Sequence, residues 1–184
     1  MNNFQRSAFI LLFLFFHTSI YAQINPTKIK SISAWWCADS IKQGDGSLVT
    51  SWFSMDEKSL VVNQAVEEYA PTLVKEVKEL NNHAVLRFDG NDYLDGGDIL
   101  DVGKQGHTIF VVGLSQKDHG TFYAKSVSTT ASYRYAMYYE NNLVPFYQYL
   151  NQYYIHYGEG KIGEYDILTR SLDLSTAEFV FFQE

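Results

Sequence analysis

Residues Asn81–Leu94 read NNHAVLRFDGNDYL. Val85, Leu86 and Phe88 make an apolar run, Asp89-Gly90-Asn91-Asp92 interrupts it, and Tyr93-Leu94 resumes it. Asp and Asn close turns with their own side chains and Gly tolerates positive φ, so the segment predicts a strand, a tight turn and entry into a second strand. Units of this kind recur along the chain, and no stretch carries a convincing apolar face at helical spacing. Predicted strands are Ile32–Cys37, Leu48–Phe53, Thr72–Val77, Ala84–Phe88, Thr108–Leu114, Thr121–Lys125, Tyr133–Tyr139, Val144–Leu150, Tyr153–Tyr157, Tyr165–Thr169 and Glu178–Phe182. Turns fall at Gly44-Asp45-Gly46, Asn81-Asn82, Asp89-Gly90, Gly96-Gly97, Asn141-Asn142 and Gly158–Gly163. Only Val61–Glu68 reads as a short helix. Thr108–Leu114 (TIFVVGL) is almost continuously apolar, which predicts a strand buried on both faces. From Tyr133 the pattern alternates, with Tyr133, Tyr135, Met137 and Tyr139 on one face and Arg134, Ala136 and Tyr138 on the other. Many short strands separated by turn signals predict an all-β fold, a sandwich or barrel.

The first residues have a different purpose. Arg6 precedes an unbroken apolar run, Ala8–Phe16, and Ala22 offers a cleavage point before Gln23. The run is shorter than the roughly 20 residues a membrane-spanning helix needs. Residues 1–22 therefore read as a secretory signal peptide. Residues 23–184 read as one domain, secreted or held at the cell surface, with no membrane insertion after cleavage. The formal net charge is −7, and losing Arg6 makes it more negative still. An acidic chain with scattered lysines is not built for nucleic acid or an anionic membrane surface. Cys37 is the only cysteine, so no internal disulfide can form. Within Trp35-Trp36-Cys37-Ala38 it reads as a small buried hydrophobe.

Two segments together resemble the concanavalin A-like (laminin G-like) jelly-roll domains of secreted bacterial proteins. The first is Trp35-Trp36-Cys37-Ala38-Asp39, with Asp45-Gly46, Val49 and Trp52 after it. The second is Ala84–Gly90 with Asp92-Tyr93-Leu94. Gln64-Ala65, Pro71-Thr72-Leu73 and Thr108–Val112 fall where that family has similar residues. The likeness covers about Ser31–Ser115 and fades beyond. It implies a two-sheet antiparallel β-sandwich. Such domains continue past the position of Glu178–Phe182, so the resemblance implies a chain lacking its last C-terminal strands, either a truncated gene product or a fragment of a larger protein. The fold hosts lectins, adhesion modules and glycosidases alike and does not choose among them.

The residues narrow the choice. Glycosidases of this fold set acids at alternate positions of one strand. Glu164 and Asp166 have that spacing with Glu159 nearby, but Leu168 occupies the next alternate position, and an exposed strand edge is the plainer reading. Gly158–Gly163 fits G-x-G-x-x-G but precedes a strand pattern rather than the helix that would hold phosphate. No nucleophile elbow or Cys–His pairing is present. Asp89, Asp92, Asp95 and Asp98 are candidate calcium ligands, because calcium takes hard oxygen donors; turn geometry explains the same residues. Eleven of the 14 tyrosines lie between Tyr123 and Tyr165, interleaved with Asn141, Asn142, Gln148, Asn151 and Gln152. Aromatic rings stack on sugar rings while hydroxyls and amides meet sugar hydroxyls, although Tyr also suits any half-buried strand. Tyr138, Tyr147, Tyr149 and Tyr154 are the candidate ligand-binding residues. The expectation is a non-catalytic binding or adhesion module for glycan or a cell-surface protein. The alternatives are a structural spacer of a larger surface protein and a glycoside hydrolase.

Overall fold

The computed structural model of the chain describes residues 26–101, 106–117, 120–126, 134–140, 144–149, 153–156, 162–173 and 178–183. The expected signal segment 1–22, Tyr133, the Asn141-Asn142 turn and residues 157–161 lie outside them. The chain divides into Met1–Ile32 and Ser33–Glu184. In the first unit Pro26–Lys28 forms a 3₁₀ turn, and the Ile32 N–H donates to the Ile29 carbonyl at 3.1 Å. All that follows belongs to the second.

The architecture is all-β, made of small antiparallel sheets, with no α-helix among the described residues. β1 (Ser51–Phe53) pairs with β2 (Val61–Asn63), and β3 (Thr72–Val77) pairs with β4 (His83–Arg87). The remaining strands are β5 (His107–Gly113), β6 (Gly120–Ser126), β7 (Arg134–Glu140), β8 (Val144–Tyr149), β9 (Tyr153–His156), β10 (Asp166–Asp173) and β11 (Glu178–Gln183). β6–β9 form a four-stranded meander in chain order, which antiparallel strands with short connections favour. β10 pairs with both β5 and β11 in a three-stranded sheet, so the chain leaves β5, builds the meander and returns beside it. No helix of the described residues is long and apolar enough to cross a membrane.

Met137 of β7 and Leu168 of β10 are buried together, with Ile109 and Val111 of β5 and Phe122 of β6 packed around them. The four-stranded and three-stranded sheets thus share side chains in one core. Strand alternation then decides the other face. Along β5, Ile109 and Val111 point to the core while Phe110 is 70 % and Val112 58 % exposed. This corrects the expectation that Thr108–Leu114 is buried on both sides. The strand lies at the end of its sheet's strand order, and packing covers one face of it.

A second cluster gathers Ala38, Val49 and Leu73, with Ile41, Trp52, Ala84 and Leu86 against them. Here ladders are short and side chains hold the backbone instead. The expected strand Ile32–Cys37 has no ladder. The Trp36 indole N–H donates to the Trp52 carbonyl and the Trp52 indole N–H donates to the Cys37 carbonyl, each at 3.2 Å. Two large rings satisfy their polar atoms reciprocally in this half-buried contact. Val61–Glu68 is not helical: it holds β2 and the start of a 3₁₀ turn, Glu67–Tyr69. Tyr93-Leu94 is not a strand; only Asp95 bridges to Asn63. The turns fall where Asn and Gly permit left-handed backbone, at Asn81 (φ 52) and Asn82 (φ 64) and at Gly90 (φ 112).

Asp56 closes the turn after β1. Its carboxylate accepts the Lys58 N–H at 2.9 Å and the Trp35 N–H at 3.2 Å. Burial alone would raise its pKa; the Lys58 and Trp35 N–H groups bonded to the carboxylate oppose that, and the group is held below the usual 3.8. A depressed carboxylate stabilises the fold above the unfolded pKa and loses that contribution as pH falls through the folded one. Asp56→Ala is expected to lower the unfolding free energy by about 2 kcal/mol in urea titrations at pH 7. The difference from wild type should shrink as the pH is taken well below 3.8 and the carboxylate loses its charge.

Candidate functional site

The four tyrosines singled out by sequence lie on the meander, and its register sorts them. Tyr147 of β8 stands opposite Met137 of β7 and Ile155 of β9, and Tyr149 stands opposite Tyr135 and Tyr153. Directly opposed residues share a face. Positions 147 and 149 therefore fall on the Met137 face, which enters the core. Tyr138 is opposite Phe146, which is opposite His156; Gln148 is opposite Tyr154 and Ala136. Positions 138 and 154 thus fall on the other face, with Phe146, Gln148 and His156. Where that face reaches β6, Thr121 and Ala124 are exposed. The four positions do not share one surface, because strand alternation puts residues 138 and 147 on opposite sides.

The aspartates from Asp89 to Asp101 do not converge. Asp89 accepts the Asn91 N–H at 3.1 Å and Asp95 accepts the Gly97 N–H at 2.7 Å, both closing side-chain turns. Asp92 accepts the Asp89 N–H at 2.9 Å. Asp98 and Asp101 turn to Lys125, at 3.0 and 2.7 Å. The same ammonium donates to the Ile99 carbonyl. The lysine side chain is buried, and burial alone would lower its pKa; the carboxylates of Asp101 and Asp98 outweigh that and hold it above the ordinary lysine range. Lys125 thereby pins a loop that carries Leu100 at φ 59, a left-handed backbone unfavourable for leucine. Burial also raises the Tyr123 hydroxyl, on the same face as Lys125; Lys125 opposes the shift and Asp101 adds to it. Among the described residues no three His, Cys, Asp or Glu side chains are grouped to hold a metal ion.

Cys37 is half-buried rather than enclosed. Its sulfur lies 3.9 Å from Asp39 Oδ2, which is also 2.5 Å from His83 Nδ1. Asp39 Oδ1 accepts the Ala84 N–H at 2.7 Å, so the carboxylate ties the 3₁₀ turn Ala38–Ser40 to β4. The order thiol–carboxylate–imidazole leaves the sulfur beside an acceptor and away from the ring that would act as base. Glu164 lies in the bend before β10 and Asp166 opens that strand, so the two acids are not alternate residues of one strand. Of the Gly158–Gly163 motif only Ile162 and Gly163 are among the described residues; Gly163 (φ 79) leads into that strand, with its N–H on the Ser115 carbonyl at 2.9 Å.

A site not read from sequence lies between two loops of the first half. Tyr69 and Tyr93 stack with ring centroids 6.2 Å apart and planes 27° apart, both rings exposed. The Tyr93 N–H donates to the Tyr69 carbonyl at 3.0 Å. Buried Gln64 lies between the loops: its Nε2 donates to the Tyr93 carbonyl at 3.2 Å and its Oε1 accepts the Val66 N–H at 2.9 Å. Each tyrosine follows two polar residues, in Glu67-Glu68-Tyr69 and Asn91-Asp92-Tyr93. No periodicity marks them, although an aromatic flanked by acids in a turn is a signal that could have been used.

Lys125→Met keeps the packed stem and removes the ammonium. It is expected to open the 95–101 loop, with limited proteolysis cutting there well before wild type. Global stability should fall by only about 1 kcal/mol, because the released carboxylates are exposed and regain water.

No protein-family model, no curated protein and no solved structure matches the chain.

Proposed function

We propose that this is a secreted or cell-surface, non-catalytic binding module that recognises a glycan, built on a concanavalin A-like β-sandwich. The core shared by the β6–β9 and β5–β10–β11 sheets is what a two-sheet sandwich requires. One observation carries the functional reading: the register of the meander puts Tyr138, Phe146, Gln148, Tyr154 and His156 on the face opposite buried Met137. Aromatic and amide positions interleaved on one sheet face suit the alternating apolar and hydroxyl surfaces of a sugar chain. Tyr147 and Tyr149, on the core side, serve stability in this reading. Calcium is not part of the proposal.

A glycan array probed with the folded chain tests it. Tyr138→Ala and Tyr154→Ala should each weaken retention about tenfold with little change in thermal stability. Tyr147→Ala should instead lower stability by about 3 kcal/mol. A folded chain that retains no glycan overturns the reading.

A further inference from the structure

We propose that Tyr69 and Tyr93 form a second glycan subsite, one that takes the apolar C–H face of a neutral pyranose ring. The choice of ligand class rests on the binding-module reading above; the site itself rests on separate geometry. Tyr69 is 36 % and Tyr93 53 % exposed. A centroid separation of 6.2 Å is too long for rings lying squarely over each other. They are offset, and much of each ring is left uncovered by the other. Val66, 47 % exposed, lies on the same loop as Tyr69. The backbone beneath is fixed at several points. Gln64 bonds both loops, its own N–H donates to the Thr50 carbonyl at 2.9 Å, and Asn63 and Asp95 exchange backbone bonds at 2.8 Å. The aromatic pair is therefore preorganised, and little ordering remains to oppose a ligand.

Charge selects the ligand. Residues 64–70 (QAVEEYA) and 91–95 (NDYLD) carry Glu67, Glu68, Asp92 and Asp95 and no lysine or arginine; one cation, the Lys117 ammonium, lies over Gly90 at the start of the second loop. Four acids on the two loops against that single cation favour sugar hydroxyls, which donate, and disfavour sulfated, uronic or phosphorylated ligands. A proline-rich peptide also docks on aromatic surfaces, but it has few N–H groups to offer these acceptors.

Isothermal titration of the full chain with cellohexaose, xylohexaose, mannohexaose and laminarihexaose tests the proposal, with polygalacturonate and a polyproline decamer as comparisons. At least one neutral hexasaccharide should bind. Tyr69→Ala and Tyr93→Ala should each weaken it about tenfold, whereas Tyr93→Phe, which keeps the ring, should stay within about threefold. Polygalacturonate should not bind. Near-ultraviolet circular dichroism of each variant shows that it is folded. If a neutral hexasaccharide binds and responds to Tyr138→Ala but not to either loop variant, the subsite is wrong and the module reading stands. If none binds, both fail. Polyproline binding that is lost in Tyr93→Ala, with no sugar binding, overturns the glycan assignment.

Discussion

The burial of Met137 against Leu168 is the contact on which the second half of this protein depends. A β-strand has two faces, and its sequence often leaves both of them apolar enough to be buried. Once Met137 and Leu168 meet, each neighbouring strand has its inward face chosen by register. Ile109, Val111 and Phe122 follow them inward, and Phe110, Val112 and Ile167 are left exposed. The same contact determines which positions of the meander share the Met137 face and which fall on the other. A single pair of buried side chains therefore sorts the positions of a whole sheet, through nothing more than alternation.

The first half is held by a different means. Its strands are three to six residues long, and short ladders leave backbone groups that must find other partners. Asp56, Gln64, Asp39 and Asp45 supply them. Asp45 accepts the Lys75 N–H at 2.8 Å across 30 residues of sequence. The reciprocal indoles of Trp36 and Trp52 do the same for two carbonyls. Such side-chain-to-backbone bonds fix irregular segments firmly enough to display Tyr69 and Tyr93 in one arrangement. Lys125 extends the principle to the 98–101 loop, where an ammonium gathers two carboxylates and a carbonyl.

Much of the strand content was legible because the local signals were strong. Thr72–Val77 was read to the residue, and β5 to β9 and β11 to within one or two, since β-branched and aromatic runs were punctuated by Asn, Asp and Gly. The failures share a cause. Trp35-Trp36-Cys37 looks like a strand, but its bonds go to side chains and to the N–H groups of Met55 and Ser40, not to a ladder, which no propensity records. Val61–Asn63 was obscured by the mixed pattern after it, and β10 runs to Asp173, beyond the apolar stretch, because β11 pairs along its whole length. The acids from Asp89 onward, candidate calcium ligands by sequence, make bonds of their own: Asp89 and Asp92 within one turn, Asp95 in another, and Asp98 and Asp101 to Lys125.

By itself, then, the sequence determined the all-β class, the turns at Asn81-Asn82 and Asp89-Gly90 and the compositional bias toward tyrosine, all properties that local chemistry writes within a few residues. Which apolar face is buried, which tyrosines share a surface and which acids share a partner were decided only by tertiary structure. Those outcomes depend on contacts between residues far apart in the chain, such as Gln64 with Tyr93 and Asp98 with Lys125. No local pattern encodes them, because each is set by the strand or loop that happens to pack opposite.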